Sequence, residues 1–583
     1  MQDASSSVLP LYDITVAAVS DYYKYFKKEL RILPETILFD VFITLFHQDR
    51  LCVLGMEFSD LAVFSRMLKV TNKRLELIKC FQALMKHGTG LAKELASGYE
   101  IKCNCTLQDN TDIMEKLSVI DVGIRLGSFL SDAGWFAESG KVLQCCKDLC
   151  LTLPDEINSW IKTLDCCHKL LHAEVVYSNF NSATLTKKLA EEIISKIKSS
   201  SGECICLAGI YTQFSLYSFY MSDYNEAYSW SIKSIRELGP NVCRRMTVEA
   251  LSQASKACVV KRKFSKAVAL VRQAVYLARE SFGTNHPKYA DTLLDYGFYL
   301  LNSDSMKDSV TVYGQALKLK TEIYGQLNLH VAVSHEDLAY ALYVHEYSSG
   351  RFTAARQHAE DAINLMILLL PKEHLMLASA QRVKALILEE IALDYMSINS
   401  ESQLKLLYEA ENLHKNALRL ALAAFGVDNV QTAKHYGNLG RLYQSMKRYE
   451  EAEQMHLKAI EIKEKLLGQD DYEVGLSVGH LASLYNYHMN EYRKAESLYF
   501  RSINISLKLF SDTYSGLEYD YRGLVHVYDS LEEFDNKEDY LDIIARWKRL
   551  REEQELKDTA PLSLPKAPSS LQEIQEMFSE PPV

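Results

Sequence analysis

The sequence predicts an all-α fold, a superhelical solenoid of stacked helix pairs. Three observations carry this expectation: a spacing of 42 residues recurs, glycines close successive units at that spacing, and an aromatic–alanine pair opens each second helix. The spacing is plainest in Asn438-Leu-Gly-Arg-Leu-Tyr443, His480-Leu-Ala-Ser-Leu-Tyr485 and Arg522-Gly-Leu-Val-His-Val-Tyr528. Upstream, Gln253, Asp295 and Asp337 keep the same step. A helix pair of this length cannot bury its apolar face alone, so neighbouring pairs must stack.

Each element of the unit has a physical reason. Gly283 and Gly325, and again Gly426 and Gly468, lie 42 residues apart and follow apolar runs, as expected just past a helix end. A small residue then falls in the first turn of the next helix: Ala290, Ala332 and Ala433. Between the two helices of a unit stand Phe264/Ala267, Phe352/Ala355, Tyr449/Ala452 and Tyr492/Ala495. The alanine permits close approach and the aromatic fills the turn. These units resemble the tetratricopeptide repeats of kinesin light chains, down to Phe282-Gly-x-x-His-Pro287 and Tyr449-Glu-Glu-Ala-Glu453.

The step is lost between Asp337 and Asn438, where about 17 extra residues are assigned to longer helices and a loop near Ser397–Gln403. Tyr224-Asn-Glu-Ala227, with Gln213 at the ladder position, marks another unit, and Gly123–Cys150 a degenerate one. Residues 60–120 read as helical without a register. Repeats are therefore expected over 206–550 and degenerate helical repeats over 61–205. The Ser-, Pro- and Glu-rich tail, 552–583, is expected to be disordered.

The first sixty residues are not a repeat. Leu9 to Phe26 has an amphipathic pattern, and Pro34 suits the start of a helix carrying Ile37, Leu38, Val41, Phe42 and Leu45. One reading is a cap over the first repeat. The other is a docking box: Pro10-Leu11-x-x-x-Thr15-x-x-x-Val19 resembles the segment by which cullin-2 substrate receptors bind elongin C. Thr15 stands where that family usually has cysteine or another small residue. Leu33-Pro34-x-x-Ile37-x-x-x-Val41 resembles the half that selects the cullin.

From about residue 9 to 550 the chain resembles tetratricopeptide-repeat receptors of cullin-2 ubiquitin ligases. The resemblance is densest in Ala254-Ser-Lys-Ala-Cys-Val-Val-Lys261, His286-Pro-Lys-Tyr289, Asp291–Leu301 and Thr432–Ser445. It implies elongin B, elongin C, cullin-2 and its RING subunit as partners. It also implies substrates whose C-terminal tails carry an arginine followed a few residues later by glycine. Carriage of the amyloid precursor protein along microtubules is implied as an alternative role.

In such repeats the first helix of each pair lines a concave groove, which places Gln253, Asp295, Asp337, Asn438, His480 and Arg522 in one row. Asn438 matches the asparagine that clamps a peptide backbone in kinesin-type repeats; an amide both donates and accepts. Asp291, Asp295 and Asp337 make one stretch acidic, suited to a guanidinium. Arg441, His480 and Arg522 make the other basic, suited to a carboxylate. The alternative is that these charges pair with one another or with solvent.

Several classes are disfavoured. A net charge of −11 argues against nucleic acid, despite Lys261-Arg262-Lys263 and the basic run Arg546 to Arg551. The 13 cysteines lack C-x₂-C spacing; Cys145, Cys146, Cys150 and His168 could meet across helices, but reduced, buried thiols are the plainer reading. Neither an apolar span nor a signal peptide is evident, which points to the cytoplasm and nucleus, with peripheral cytoskeletal or membrane association. Phosphate loops and nucleophile elbows are absent, and His335-Glu336 and His345-Glu346 lack the second histidine of a zincin. No catalytic residue, metal ligand or cofactor is therefore expected. A scaffold that self-associates through its repeats is a third functional class.

Overall fold

The computed structural model describes residues 10–108, 112–200, 205–347, 349–394, 400–557 and 568–578. Among them every regular element is helical. The chain divides into two compact units, one built from residues 1–213 with 285–287 and 319–331, the other from the remainder. No helix among the described residues is long and apolar enough to cross a membrane.

The first unit opens with α1 (Leu11–Asp21), α2 (Tyr23–Leu30), α3 (Glu35–His47), α4 (Leu51–Phe58), α5 (Leu61–Met67), α6 (Arg74–Lys86) and α7 (Leu91–Gln108). The pattern read as one helix over 9–26 is broken at Tyr22 (φ −97°, ψ 23°), while Leu9 lies outside the described residues. The break leaves Tyr22 61% exposed and turns Tyr23 inward at 4%. Phe42, Phe58, Phe64, Phe129 and Phe81 form a chain of edge-on rings with centroids 5.2–5.4 Å apart. Their quadrupoles favour this arrangement. The chain of rings crosses residue 60, so the first helices share one core with those that follow. The unit continues with α8 (Ile113–Asp132), α9 (Phe136–Cys150), α10 (Ile157–Val176) and α11 (Phe180–Ser200), stacked in order.

Next come α12 (Ala208–Tyr220), α13 (Tyr224–Arg236), α14 (Arg244–Val260), α15 (Phe264–Phe282), α16 (Pro287–Asn302), α17 (Met306–Tyr324), α18 (Leu329–His345) and α19 (Thr353–Leu369). They are followed by α20 (Met376–Asp394), α21 (Ser400–Phe425), α22 (Val430–Ser445), α23 (Tyr449–Leu467), α24 (Tyr472–Tyr487), α25 (Tyr492–Leu509), α26 (Leu517–Ser530) and α27 (Phe534–Lys557). Within the second unit α20 packs on α21, α22 on α23, α24 on α25 and α26 on α27, and each pair packs on the next. Gly283, Gly325, Gly426 and Gly468 have φ between 73° and 90°, the left-handed geometry that closes a helix without a Cβ clash. Ala267, Ala355, Ala452 and Ala495 are fully buried.

Two expectations are adjusted. Part of the extra length between Asp337 and Asn438 lies in α21, a 26-residue helix, in keeping with longer helices there; α21 includes Ser400–Gln403, whereas Ser397–Asn399 lie outside the described residues. The tail is not wholly disordered either. α27 runs to Lys557, and α28 (Leu571–Met577) forms behind a capping box in which Ser570 and Glu573 bond each other's backbone N–H. Proline and serine dominate the composition there, but a cap followed by Ile574 and Phe578 suffices for about two docked turns.

The second unit also touches itself at long range. Asn429 Nδ2 donates to Met221 O (2.9 Å), Gln431 Nε2 to Ser222 Oγ (3.1 Å), and Ser515 Oγ to Asp304 (2.6 Å). The Arg262 guanidinium lies 4.1 Å from the Tyr472 ring centroid. These partners are separated by 208–211 residues, about five repeat lengths.

Candidate peptide groove and docking helix

First helices of successive pairs in the second unit meet through polar side chains. Lys256 of α14 pairs with Asp295 of α16 at 3.2 Å, and Lys434 of α22 with Glu473 of α24 at 3.0 Å. Between them, Arg441 of α22 reaches Glu389 and Glu390 of α20, each at 3.0 Å, and the Tyr343 hydroxyl of α18 at 3.2 Å. Polar side chains therefore link α14 to α16, and α18, α20, α22 and α24 to one another.

The acidic stretch is partly paired, Asp295 being held by Lys256 as described above. Asp295 and Asp337 both act on Tyr313: burial first, then these two carboxylates, push its phenol well above the ordinary value. Asp291 lies 3.8 Å from Lys288, which also holds Glu249 at 2.7 Å. Asn438 is half-buried, and its side chain makes no hydrogen bond, so its amide is free to meet a ligand.

The basic stretch is paired more fully. Arg441 is already saturated by two glutamates, and burial pushes the Glu390 carboxyl up to about 7 against the pull of that arginine. His480 carries no charge: burial, then the positive charges of Arg441 and Lys463 with His456 nearby, hold it far below the usual imidazole value. Arg522 is exposed and bonds Glu518 one turn away at 2.7 Å. Gln253 is 3% exposed, donates to Ser215 Oγ at 3.2 Å and leaves its Oε1 buried without a partner. Its rung therefore points into the core, because a long amide beside a serine can turn inward where an aspartate could not.

In the first unit, α1 is a helix with one face unused. Val16 and Ser20 are buried, and Ser20 Oγ lies 2.8 Å from Val16 O and 3.3 Å from Val41 O of α3. On the opposite side Leu11 is 80% and Ile14 46% exposed, Thr15 is exposed and Val19 half-buried. Thr15 Oγ1 bonds Leu11 O at 2.7 Å, hiding its hydroxyl and presenting its methyl. Of the second half-box, Pro34 is exposed and Leu33 and Ile37 half-buried, but Val41 is 1% exposed. Val41 belongs to the α1–α3 interface and cannot face a partner; Ile32, 85% exposed, extends the available patch instead.

The tetratricopeptide repeat family matches residues 397–465. The mouse and rat proteins named amyloid protein-binding protein 2 are each 49% identical over 568 residues, 97% of this chain and 96% of theirs. This chain belongs to the amyloid protein-binding protein 2 family. Among solved structures, a Rap protein complexed with competence and sporulation factor aligns at TM-score 0.47 and 12% identity, covering 67% of this chain and 99% of its own. A putative kinesin light chain of Podosopora anserina aligns at TM-score 0.28 and 17% identity, covering 38% and 97%.

Family membership and repeats together give a repeat-based protein-binding role. Arg382 of α20 is a residue that the sequence pattern did not single out. It lies 5.1 Å from the Tyr340 ring centroid, and its charge bears on Glu336, His414 and His435. It forms no ion pair or hydrogen bond, which distinguishes it from Arg441. The repeat step is lost where it stands, so no spacing could reveal it.

Two side-chain groups could hold a metal among the described residues. The Cys146, Cys150 and Cys166 thiols lie within 4.8 Å of one another, as do donor atoms of His335, His358 and Asp361. The first trio draws in Cys166 rather than the expected Cys145 or His168. In the second, His335 Nδ1 and His358 Nδ1 are 2.9 Å apart, a distance equally met by one imidazole donating to the other.

Proposed function

We propose that this chain is the substrate-recognition subunit of a cullin-2 RING ubiquitin ligase. The observation that carries the reading is the unused apolar stripe of α1, Leu11, Ile14 and Thr15, locked from behind by Val16 and Ser20. A leucine 80% exposed on an anchored helix is ready-made for a pocket, and elongin C, with elongin B, is the partner this pattern fits. Leu33, Pro34 and Ile37 then face cullin-2. Ubiquitin transfer belongs to the RING subunit and its conjugating enzyme, so the chain itself contributes no catalytic group.

The groove supplies the specificity. Asp295 and Asp337, with Asp291, receive the arginine of a substrate's C-terminal tail, and Asn438 clamps the peptide backbone. Arg382 takes the terminal carboxylate, because it alone of the groove arginines named above has no acidic partner in hydrogen-bonding reach. A charge-assisted contact of this kind is worth about 1.5–3 kcal/mol. Asp337→Arg is expected to weaken an Arg-x-x-Gly-type tail peptide at least about ten-fold in fluorescence anisotropy. Unchanged affinity would remove the acidic pair from the reading.

The ligase reading is tested by capture of elongins and cullin-2 from purified components. Wild type should hold both, Leu11→Ser neither, and Leu33→Ala/Pro34→Ala the elongins alone. If wild type captures none of them, the first helices are a repeat cap. The second reading then stands: an adaptor whose groove grips an amyloid protein, as the relatives' name says of them, and links it to microtubule transport.

A further inference from the structure

The C-terminal helix α28 is held as a peptide ligand is held. Ile574 is fully buried and Phe578 2% exposed, while Gln572, Glu573 and Glu576 are exposed. α28 packs on α15, and Gln575 Nε2 donates to two carbonyls at the end of α13, Ile235 O (3.0 Å) and Leu238 O (2.7 Å). At the other end two cations close over the last carbonyls: Lys266 Nζ to Met577 O (2.6 Å) and Arg236 Nη2 to Phe578 O (2.8 Å). Lys266 also lies 4.9 Å from the Phe578 ring centroid. Cations belong at the C-terminal end of a helix, where unpaired carbonyls concentrate negative potential.

Each feature is a recognition device rather than general core packing. An apolar pair four residues apart fills the seat, an amide reads two main-chain acceptors, and a dibasic clamp reads the helix end. We propose that the shelf formed by the end of α13 and the start of α15 is a docking site for a short amphipathic helix. The chain's own residues 570–578 occupy it in cis, and a partner protein's helix of the same signature replaces them. That signature is a Ser-x-x-Glu cap, a large aliphatic residue followed by glutamine, and phenylalanine four residues after the aliphatic one. Tethering raises the local concentration of the cis helix to the millimolar range, so a partner gains the site by competition and not by simple vacancy.

The probe is a labelled, acetylated and amidated peptide of residues 568–578, titrated by anisotropy against full-length chains. Ile574→Asp/Phe578→Asp in the full chain should empty the seat and bind the peptide at least about ten-fold more tightly than wild type. Adding Lys266→Glu to that variant should weaken the peptide about ten-fold again. No binding to the emptied chain, or equal binding to emptied chain and wild type, overturns the proposal. So does cooperative loss of fold in the emptied chain by circular dichroism, which would make Ile574 and Phe578 core residues and not a ligand.

Discussion

Gly440 and His456 show how closely the two helices of a pair approach. A Cβ on Gly440 would stand 2.8–2.9 Å from the imidazole of His456, which is fully buried and has neither ring nitrogen hydrogen-bonded. The same device recurs within a pair where Gly127 receives Leu143, and between adjacent pairs where Gly523 of α26 receives Tyr499 of α25. Gly440→Ala should therefore cost about 1–3 kcal/mol, read as a fall in melting temperature, despite the better helix propensity of alanine. His456 adds a pH dependence. Burial, then the charges of Arg441 and Lys463, push its pKa down to about 3, whereas an unfolded histidine titrates near 6.5. Its contribution is thus complete above about pH 6.5 and is lost as the pH falls toward 3. Burial raises the carboxyls of Glu174, Glu390 and Asp520 to about 7; their contribution runs the other way, complete below about pH 4 and lost as the pH rises through 7. The decisive quantity is therefore the difference between His456→Phe and wild type. The variant should lose less stability between pH 6.5 and 4 in denaturant melts, and parallel curves would assign the acid sensitivity elsewhere.

At the scale of elements, the repeat was legible wherever the backbone leaves a mark on residue type. A helix that ends in left-handed geometry selects glycine, and a close helix crossing selects alanine, so Gly283, Gly468, Ala267 and Ala495 announced themselves. The turn inside each pair leaves no such mark. A left-handed residue stands two positions before the second helix at Ser178, Ser222, Arg262, Asp304, Lys447, Asn490 and Glu532, with φ between 55° and 69°. Seven residues of six kinds share one conformation, which no composition rule detects; Ser178 before Phe180 and Gly134 before Phe136 carry the register into the first unit, where spacing alone read it as degenerate. The candidate site was legible only where the period holds. Asp295, Asp337 and Asn438 fell out of the period, but the glutamates that neutralise Arg441 lie on α20, where the period is broken. The face of α1 was legible from its own spacing, and it makes a stability prediction distinct from the binding one. Leu11→Ser should leave the melting temperature unchanged, because the side chain is 80% exposed, whereas Val16→Ser, at 7%, should lower it by several degrees. Equal effects on stability would mean that α1 is packed on both faces.

At the scale of the whole second unit, stacking of neighbours does not account for everything that holds the groove. A solenoid's stability is ordinarily a sum over adjacent repeats, so its ends are indifferent to each other. Here the turns before α13, α15 and α17 meet the turns before α22, α24 and α26, about five repeats further on. Asp304 is the most heavily used of these contacts. Its carboxylate accepts from the backbone N–H (3.0 Å) and hydroxyl (2.6 Å) of Ser515 and pairs with Arg551, and both charged side chains are largely buried. Removing that charge takes a buried counter-ion from Arg551, a loss larger than an exposed ion pair would give. Asparagine is the informative replacement because it tolerates the left-handed backbone of Asp304 (φ 69°) and keeps one of the two acceptor oxygens, so the charge and one acceptor are lost while the shape is kept. Asp304→Asn should lower the melting temperature and speed amide exchange at two places far apart in sequence, the turn at 303–305 and the segment 511–516. Exchange in α20–α21, which takes no part in the contact, should stay as it is. If faster exchange appears at 303–305 alone, the five-repeat contact does not constrain the groove, and the unit behaves as a sum of neighbours.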